Sequence, residues 1–264
     1  MNKIIDAHCH IYPDKIALKA STATGTFYDI NCKCDGKVST MLEEGKKAGV
    51  DHYIIQSVAT TPAQVPSINR FIAKEVEKSD GIMTGLGTMH PDCLDKEKEI
   101  ADIIALGLKG VKLHPDIQGF KIDDYRMLKI YELCEKHNLI VLMHTGDNRY
   151  DLSNPNRTLP IIEIYENLVI IGAHFGGWSI WEEATNKLAD KKNFYVDCSS
   201  SLYALTPEKA TELVRIYGAD KVLFGTDYPM WTPTEELERF SKLELSDEER
   251  EQILHINAEK LFNI

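Results

Sequence analysis

The stretch Ile4-Ile5-Asp6-Ala7-His8-Cys9-His10 runs an apolar start straight into two histidines one residue apart. Side chains alternate along a strand, so His8 and His10 share one face while Cys9 points to the other. Two imidazoles about 6.6 Å apart along a strand can converge on one ion, whereas a helix would need a spacing of three or four. Standing alone, the pair would be two polar residues closing an edge strand, but the chain repeats the placement. His90, His114, His144 and His174 also close short apolar runs, which brings six of the nine histidines to such ends. Asp197 and Asp227 join them from two further runs. His52, His137 and His255 lie elsewhere and read as surface or helix-end residues.

The apolar runs belong to a regular alternation with helical patterns. After the first strand comes a polar stretch from Pro13 to about Lys37, expected as a long loop. Ser39 then caps a helix through Gly49, and residues 52–58 read as the second strand. A helix over 68–78 leads to a strand over 82–89, and a helix over 94–106 leads to a strand at 110–115. Asp123 or Asp124 caps a helix to His137, and residues 139–144 form the fifth strand. A helix around 160–166 precedes a strand at 168–174, and one over 180–190 precedes a strand at 194–198. Thr206-Pro207 opens another helix, and Lys221 to Asp227 is the eighth strand. The chain closes on a Ser246-x-x-Glu249 capping box and an amphipathic helix to Phe262.

Eight near-continuous apolar strands, each followed by a helix, predict a parallel sheet buried on both faces and closed into a (β/α)8 TIM barrel. An open doubly wound sheet would carry a Gly-rich phosphate turn after the first strand, and none is present. No internal repeat, low-complexity segment or linker divides the chain, so residues 1–264 are expected to be one catalytic domain. In this barrel the C-terminal strand ends carry the active site, which is where the histidines and the two aspartates gather.

Composition bounds the function. Apolar residues at 43% and charged residues at 27% are those of an ordinary globular protein, with no apolar run of membrane-spanning length. No signal peptide is visible, and the six cysteines lack zinc-ribbon spacing, so free thiols and a cytoplasmic location are expected. Cys32-x-Cys34 has no companion pair to complete a second metal or redox site. A net charge of −11 disfavours nucleic acid as a partner and leaves a small-molecule substrate, with no membrane association. A homo-oligomer is compatible with all of this.

His8, His10, His144 and Asp227 offer three neutral imidazoles and one carboxylate. That set suits a single zinc ion and tolerates manganese or iron. With one position open for water, the ion would bring the water pKa towards neutrality. His174 is placed to act as general acid or base.

The motifs Asp6-Ala-His-Cys-His10, Lys112-Leu-His-Pro115, Met143-His-Thr-Gly146, Ala173-His-Phe-Gly-Gly177, Phe224-Gly-Thr-Asp-Tyr-Pro229 and Asn257-Ala-Glu-Lys-Leu-Phe262 run the length of the chain. In combination they resemble the amidohydrolase superfamily, and specifically its amidohydrolase 2 branch, which includes aminocarboxymuconate semialdehyde decarboxylase. The resemblance implies a metal-dependent barrel with His8, His10, His144 and Asp227 as ligands and His174 catalytic, Asp227 sharing in proton transfer. It covers both hydrolases and non-oxidative decarboxylases. The compactness of the chain leans towards hydrolysis of a small carboxylated lactone, ester or amide, with carboxy-lyase chemistry as the alternative.

In binuclear members of the superfamily a carboxylated lysine on the fourth strand bridges two ions. Were Lys112 that lysine, His144 and His174 would hold the second. The favoured expectation is that Lys112 and His114, with His90 and Arg149 on neighbouring loops, contact an anionic group of the substrate. Asp197 is expected to hydrogen-bond a ligand histidine. Trp178, Trp181, Tyr228 and Trp231 would either wall the pocket or pack against helices.

Overall fold

Nine short strands alternate with helices over the described residues, 3–264: β1 Ile5–His10, β2 His52–Gln56, β3 Met83–Gly85, β4 Gly87–Thr88, β5 Gly110–Leu113, β6 Ile140–Met143, β7 Ile170–Gly172, β8 Phe194–Asp197 and β9 Val222–Leu223. The helices of this computed structural model are α1 Asp14–Tyr28, α2 Val38–Ala48, α3 Val65–Glu77, α4 Lys96–Ala105, α5 Pro115–Gln118, α6 Tyr125–Lys136, α7 Pro155–Ile164, α8 Trp181–Leu188, α9 Pro207–Tyr217, α10 Pro233–Phe240, α11 Asp247–Glu251 and α12 Asn257–Phe262. The chain forms two compact units. One holds the residues up to Gln56 with Ile82–Thr84 and Cys198–Ile264, and the other holds Ser57–Gly81 with Gly85–Asp197.

In the second unit β4 to β8 pair in chain order, each parallel to the next. Every residue of β5, β6 and β7 is buried, as expected of strands covered on both faces. In the first unit β1 pairs parallel with β2, and its register slips between Asp6 and Cys9. On its other side the Ala7 amide donates to the Phe224 carbonyl at 2.9 Å, so the chain leaving β9 runs beside β1.

Helix starts follow local chemistry. Asp95, Asp124, Asn154, Thr206, Thr232 and Ser246 each accept a bond from a first-turn amide through the side chain, and a proline opens α7, α9 and α10. The expected capping box at Ser246 and Glu249 is present.

Several expectations are corrected. The stretch expected as a loop holds α1, whose buried residues are Ala17, Ser21 and Gly25 while Ile16 and Leu18 are exposed. A helix that docks through small residues leaves no apolar periodicity, and at Gly25 a Cβ would come within 2.6 Å of the Ile30 carbonyl oxygen. Ser39 lies inside α2 and caps nothing; the preceding turn is held by Asp35, which accepts from the Lys37 amide at 3.0 Å. The third expected strand breaks at Leu86 into β3 and β4, where glycines on either side let Ile72, Leu108 and Ile103 press against the backbone. The helix expected from Pro160 begins at Pro155, because the Asn154 cap sets the start and Pro160 is carried inside. His52 is buried rather than at the surface, with Nε2 2.9 Å from the Thr84 hydroxyl and its pKa lowered by burial. The capping box of Thr232 and Glu235 that starts α10 escaped notice in the sequence.

Candidate metal centre

Within the first unit, β1 delivers His8 and His10 and the segment after β9 delivers Asp227. The Nε2 atoms of His8 and His10 are 3.2 Å apart, and Asp227 Oδ1 lies 3.4 Å from the first and 3.6 Å from the second. Nitrogen and oxygen ligands of a tetrahedral ion at about 2.0–2.1 Å stand about 3.3–3.4 Å from one another. The three donors therefore already hold the mutual spacing such an ion requires, and His8 is fully buried.

The surroundings fix these donors. Ser199 Oγ is 3.2 Å from His8 Nδ1, which leaves Nε2 for an ion. Asp6 is fully buried and takes the Thr226 hydroxyl at 2.6 Å, the Thr226 amide at 2.9 Å and the His8 amide at 3.2 Å, tying β1 to the segment that carries Asp227. Burial pushes its carboxyl up to about 6, and these bonds hold back a larger rise. At Gly225 a Cβ would meet the His8 Cβ at 2.9 Å, so only glycine allows this approach. Ser200 donates to Asp227 Oδ2 at 2.6 Å, and the Trp231 indole donates to Ser200 Oγ at 3.0 Å.

A second constellation lies in the other unit. His144 follows β6, His174 follows β7, and His174 Nε2 is 3.1 Å from His144 Nδ1. The His114 ring stacks on that of His144 with centroids 4.1 Å apart and 6° between planes. His144 Nε2 lies 3.6 Å from Asp116 Oδ2. Asp116, His144 and Asp147 each present a ligand atom, all within 4.8 Å of one another. Ser153 Oγ sits between Asp116 Oδ2, at 2.5 Å, and the Gly146 carbonyl. One hydroxyl has one proton, so if it goes to the carbonyl, Asp116 must supply the other. Burial raises the Asp116 carboxyl to about 7, in keeping with a held proton.

The remaining expected site residues fall as follows. Lys112 is buried in β5, and its carbonyl accepts from the Thr88 hydroxyl at 3.1 Å. His90 is buried, its Nδ1 accepts from the Asp92 amide at 3.2 Å, and burial lowers its pKa. Arg149 makes a two-point bond to the buried Asp147, at 2.9 Å through Nε and 2.7 Å through Nη2, and lies against the rings of Tyr150 and Trp178. A guanidinium balanced by its own carboxylate is a weaker lure for a substrate anion. Asp197 accepts from the main-chain amide of His174 at 3.2 Å, so this bond shapes the backbone around that histidine. The Trp181 indole donates to the His174 carbonyl at 3.1 Å. Tyr228 is fully buried with its hydroxyl on the Lys37 carbonyl, a packing role.

The sequence reading missed Ser199, Ser200, Asp116, Asp147 and Ser153. The serine run after β8, and the aspartates two and three residues beyond His114 and His144, were the signals available. The Cys32 and Cys34 thiols line a cavity of about 310 Å³ with α1, and burial pushes them up to about 11 and about 12. They are thiols at neutral pH and poor nucleophiles.

Residues 5–264 match the Amidohydro_2 amidohydrolase family, and the chain belongs to it. It is 23% identical to 2-amino-3-carboxymuconate-6-semialdehyde decarboxylase of Dictyostelium discoideum over 294 positions, covering 85% of this chain and 81% of that protein. Among solved structures it is similar to an uncharacterised TIM-barrel protein of Bordetella bronchiseptica, with a TM-score of 0.81 and 21% identity over 99% of this chain and 98% of the other. A dihydroxybenzoic acid decarboxylase of a Polaromonas species, solved with bound manganese and 2-nitroresorcinol, superposes with a TM-score of 0.74 at 16% identity, covering 100% of this chain and 97% of that one. The fold is thus the expected α/β TIM barrel. Among the described residues no helix is long and apolar enough to cross a membrane.

Proposed function

We propose that this chain is a metal-dependent carboxy-lyase that removes carbon dioxide from a small acid whose carboxylate sits on an unsaturated or aromatic carbon. The observation that carries this reading is the convergence of His8, His10 and Asp227 at metal-ligand spacing in a chain similar to several decarboxylases. Carboxymuconate and dihydroxybenzoate, the acids in those relatives' names, share that chemistry. The compactness that leaned towards hydrolysis is a matter of loop length, and the named decarboxylases among the relatives outweigh it in this reading.

In this reading His8, His10 and Asp227 hold one divalent ion, and the family resemblance adds His144 as fourth ligand. The donor set suits zinc, and the manganese of the Polaromonas relative marks the alternative. Once bound, the ion would steady negative charge on the substrate oxygens. The bond between carbon and carboxylate breaks with its electron pair left on carbon, and a proton takes the vacated position. His174 is assigned to handle that proton, because it is buried and its Nε2 lies 3.1 Å from His144 Nδ1, a contact that holds the ring in place. Lys112, His114 and His90 are assigned to the substrate's anionic groups, and residues 1–264 to a single catalytic domain.

The test is a screen of muconate-type and hydroxybenzoate-type carboxylates beside lactones and esters, with carbon dioxide release read separately from acid release. Carbon dioxide from an unsaturated carboxylate is the expected result. Acid release from a lactone or ester without carbon dioxide would turn the assignment back to hydrolysis by metal-activated water.

A further inference from the structure

We infer that Ser200 and Trp231 are positioning residues that hold Asp227 as a one-oxygen metal ligand. The inference rests on the reading that His8, His10 and Asp227 bind a divalent ion. An indole N–H can only donate, so the 3.0 Å contact from Trp231 Nε1 occupies a lone pair of Ser200 Oγ. The serine proton is thereby directed along the other short contact, 2.6 Å to Asp227 Oδ2. The chain of donors runs one way, and it ends on Oδ2, the carboxylate oxygen other than the one at ligand spacing from the histidines. Oδ1 stays 3.4 and 3.6 Å from the two Nε2 atoms. Without the hydroxyl, Oδ2 would lose a short charge-assisted bond that holds the carboxylate in its one-oxygen orientation.

The backbone supports this assignment. Ser200 sits at φ 45° and Asp227 at φ 57°, both in the left-handed region. That region strains a residue with a side chain, aspartate less than most, and glycine takes it freely. The two side chains are therefore what the strain retains. Trp231 is itself clamped, its ring 4.7 Å from that of Tyr203 and 4.5 Å from the Arg239 guanidinium. Ser200 and Trp231 are each 6% exposed, so water competes poorly for either bond.

The experiment measures zinc and manganese dissociation constants by chelator competition for the wild-type chain, Ser200→Gly, Trp231→Phe and the double variant, with the melting temperature of each metal-free protein alongside. Glycine accepts φ 45°, and phenylalanine keeps an aromatic ring without the N–H. Ser200→Gly should weaken metal binding roughly 10- to 100-fold, the usual cost of losing a partner of a metal ligand. Trp231→Phe should weaken it several-fold, and the double variant should bind no more weakly than Ser200→Gly, because Trp231 acts through the hydroxyl. The metal-free melting temperatures should stay close together. Affinity within twofold of wild type in Ser200→Gly, or losses that simply add in the double variant, would overturn the relay. If Ser200→Gly does not fold, unchanged affinity in Trp231→Phe would do the same. A wild-type chain that takes up neither ion would remove the metal reading itself, a distinct result.

Discussion

His8 and His10 bring their Nε2 atoms to 3.2 Å from each other, with Asp227 closing the third corner. Three donors at this spacing suit one ion, so we expect about one divalent ion per chain in protein purified without added metal. His10→Ala should lose that ion on dialysis, whereas His52→Ala, which removes a buried histidine on β2, should keep it. An ion present at 100 times its dissociation constant adds about 2.7 kcal/mol, so chelation should lower the melting temperature by roughly 5–10 °C. Elemental analysis and thermal unfolding check both, and full metal retention by His10→Ala would count against the centre.

His174 offers a second test, because its assigned work is on protons and not on the ion. His174→Ala should lower turnover by roughly 10²- to 10⁴-fold with the bound metal unchanged. Loss of an ion from this variant would favour a two-metal site.

Lys112 distinguishes the same alternatives from the other side. It is 1% exposed, and a bridging role would require it to be carboxylated. We expect Lys112→Met to retain one ion per chain while raising KM for an anionic substrate. A mass increase from added carbon dioxide on this lysine, or a fall from two ions to one in the variant, would reverse that expectation.

The legibility of the sequence followed from where its signals were local. His8 and His10 stood out because strand alternation alone puts them on one face, and the slip of register at Asp6–Cys9 did not undo it. The barrel fold was legible because β6 is an unbroken apolar run and β5 is interrupted only by Lys112. Helix α1 was not, since Ala17, Ser21 and Gly25 dock by smallness, which hydropathy does not register. Ser200 and Asp116 were missed for a different reason, since a serine run and an aspartate near His114 hint at polarity but not at a partner. Each acquires its role from one bond to a residue 27 or 37 positions away, and no local pattern marks such a bond.

Glu236, which feels the charges of Asp227 and Asp6, carries a prediction about stability of the metal-free chain. Its side chain is fully buried in α10, one oxygen contacts Arg239 and the other has no hydrogen-bond partner. Burial pushes its carboxyl up to about 8, and the Arg239 charge only partly offsets this. Between its ordinary value of 4.5 and about 8, the folded chain holds a proton that the unfolded chain has released. Stability therefore falls as pH rises through that window and levels off above it. Glu236→Gln fixes the neutral form at nearly the same shape, so it should melt close to the wild type at about pH 5 and clearly above it at about pH 8. Thermal unfolding of both proteins across this range is the measurement. A wild type that gains on Glu236→Gln as pH rises would mean that a charged carboxylate paired with Arg239 outweighs the cost of burying it.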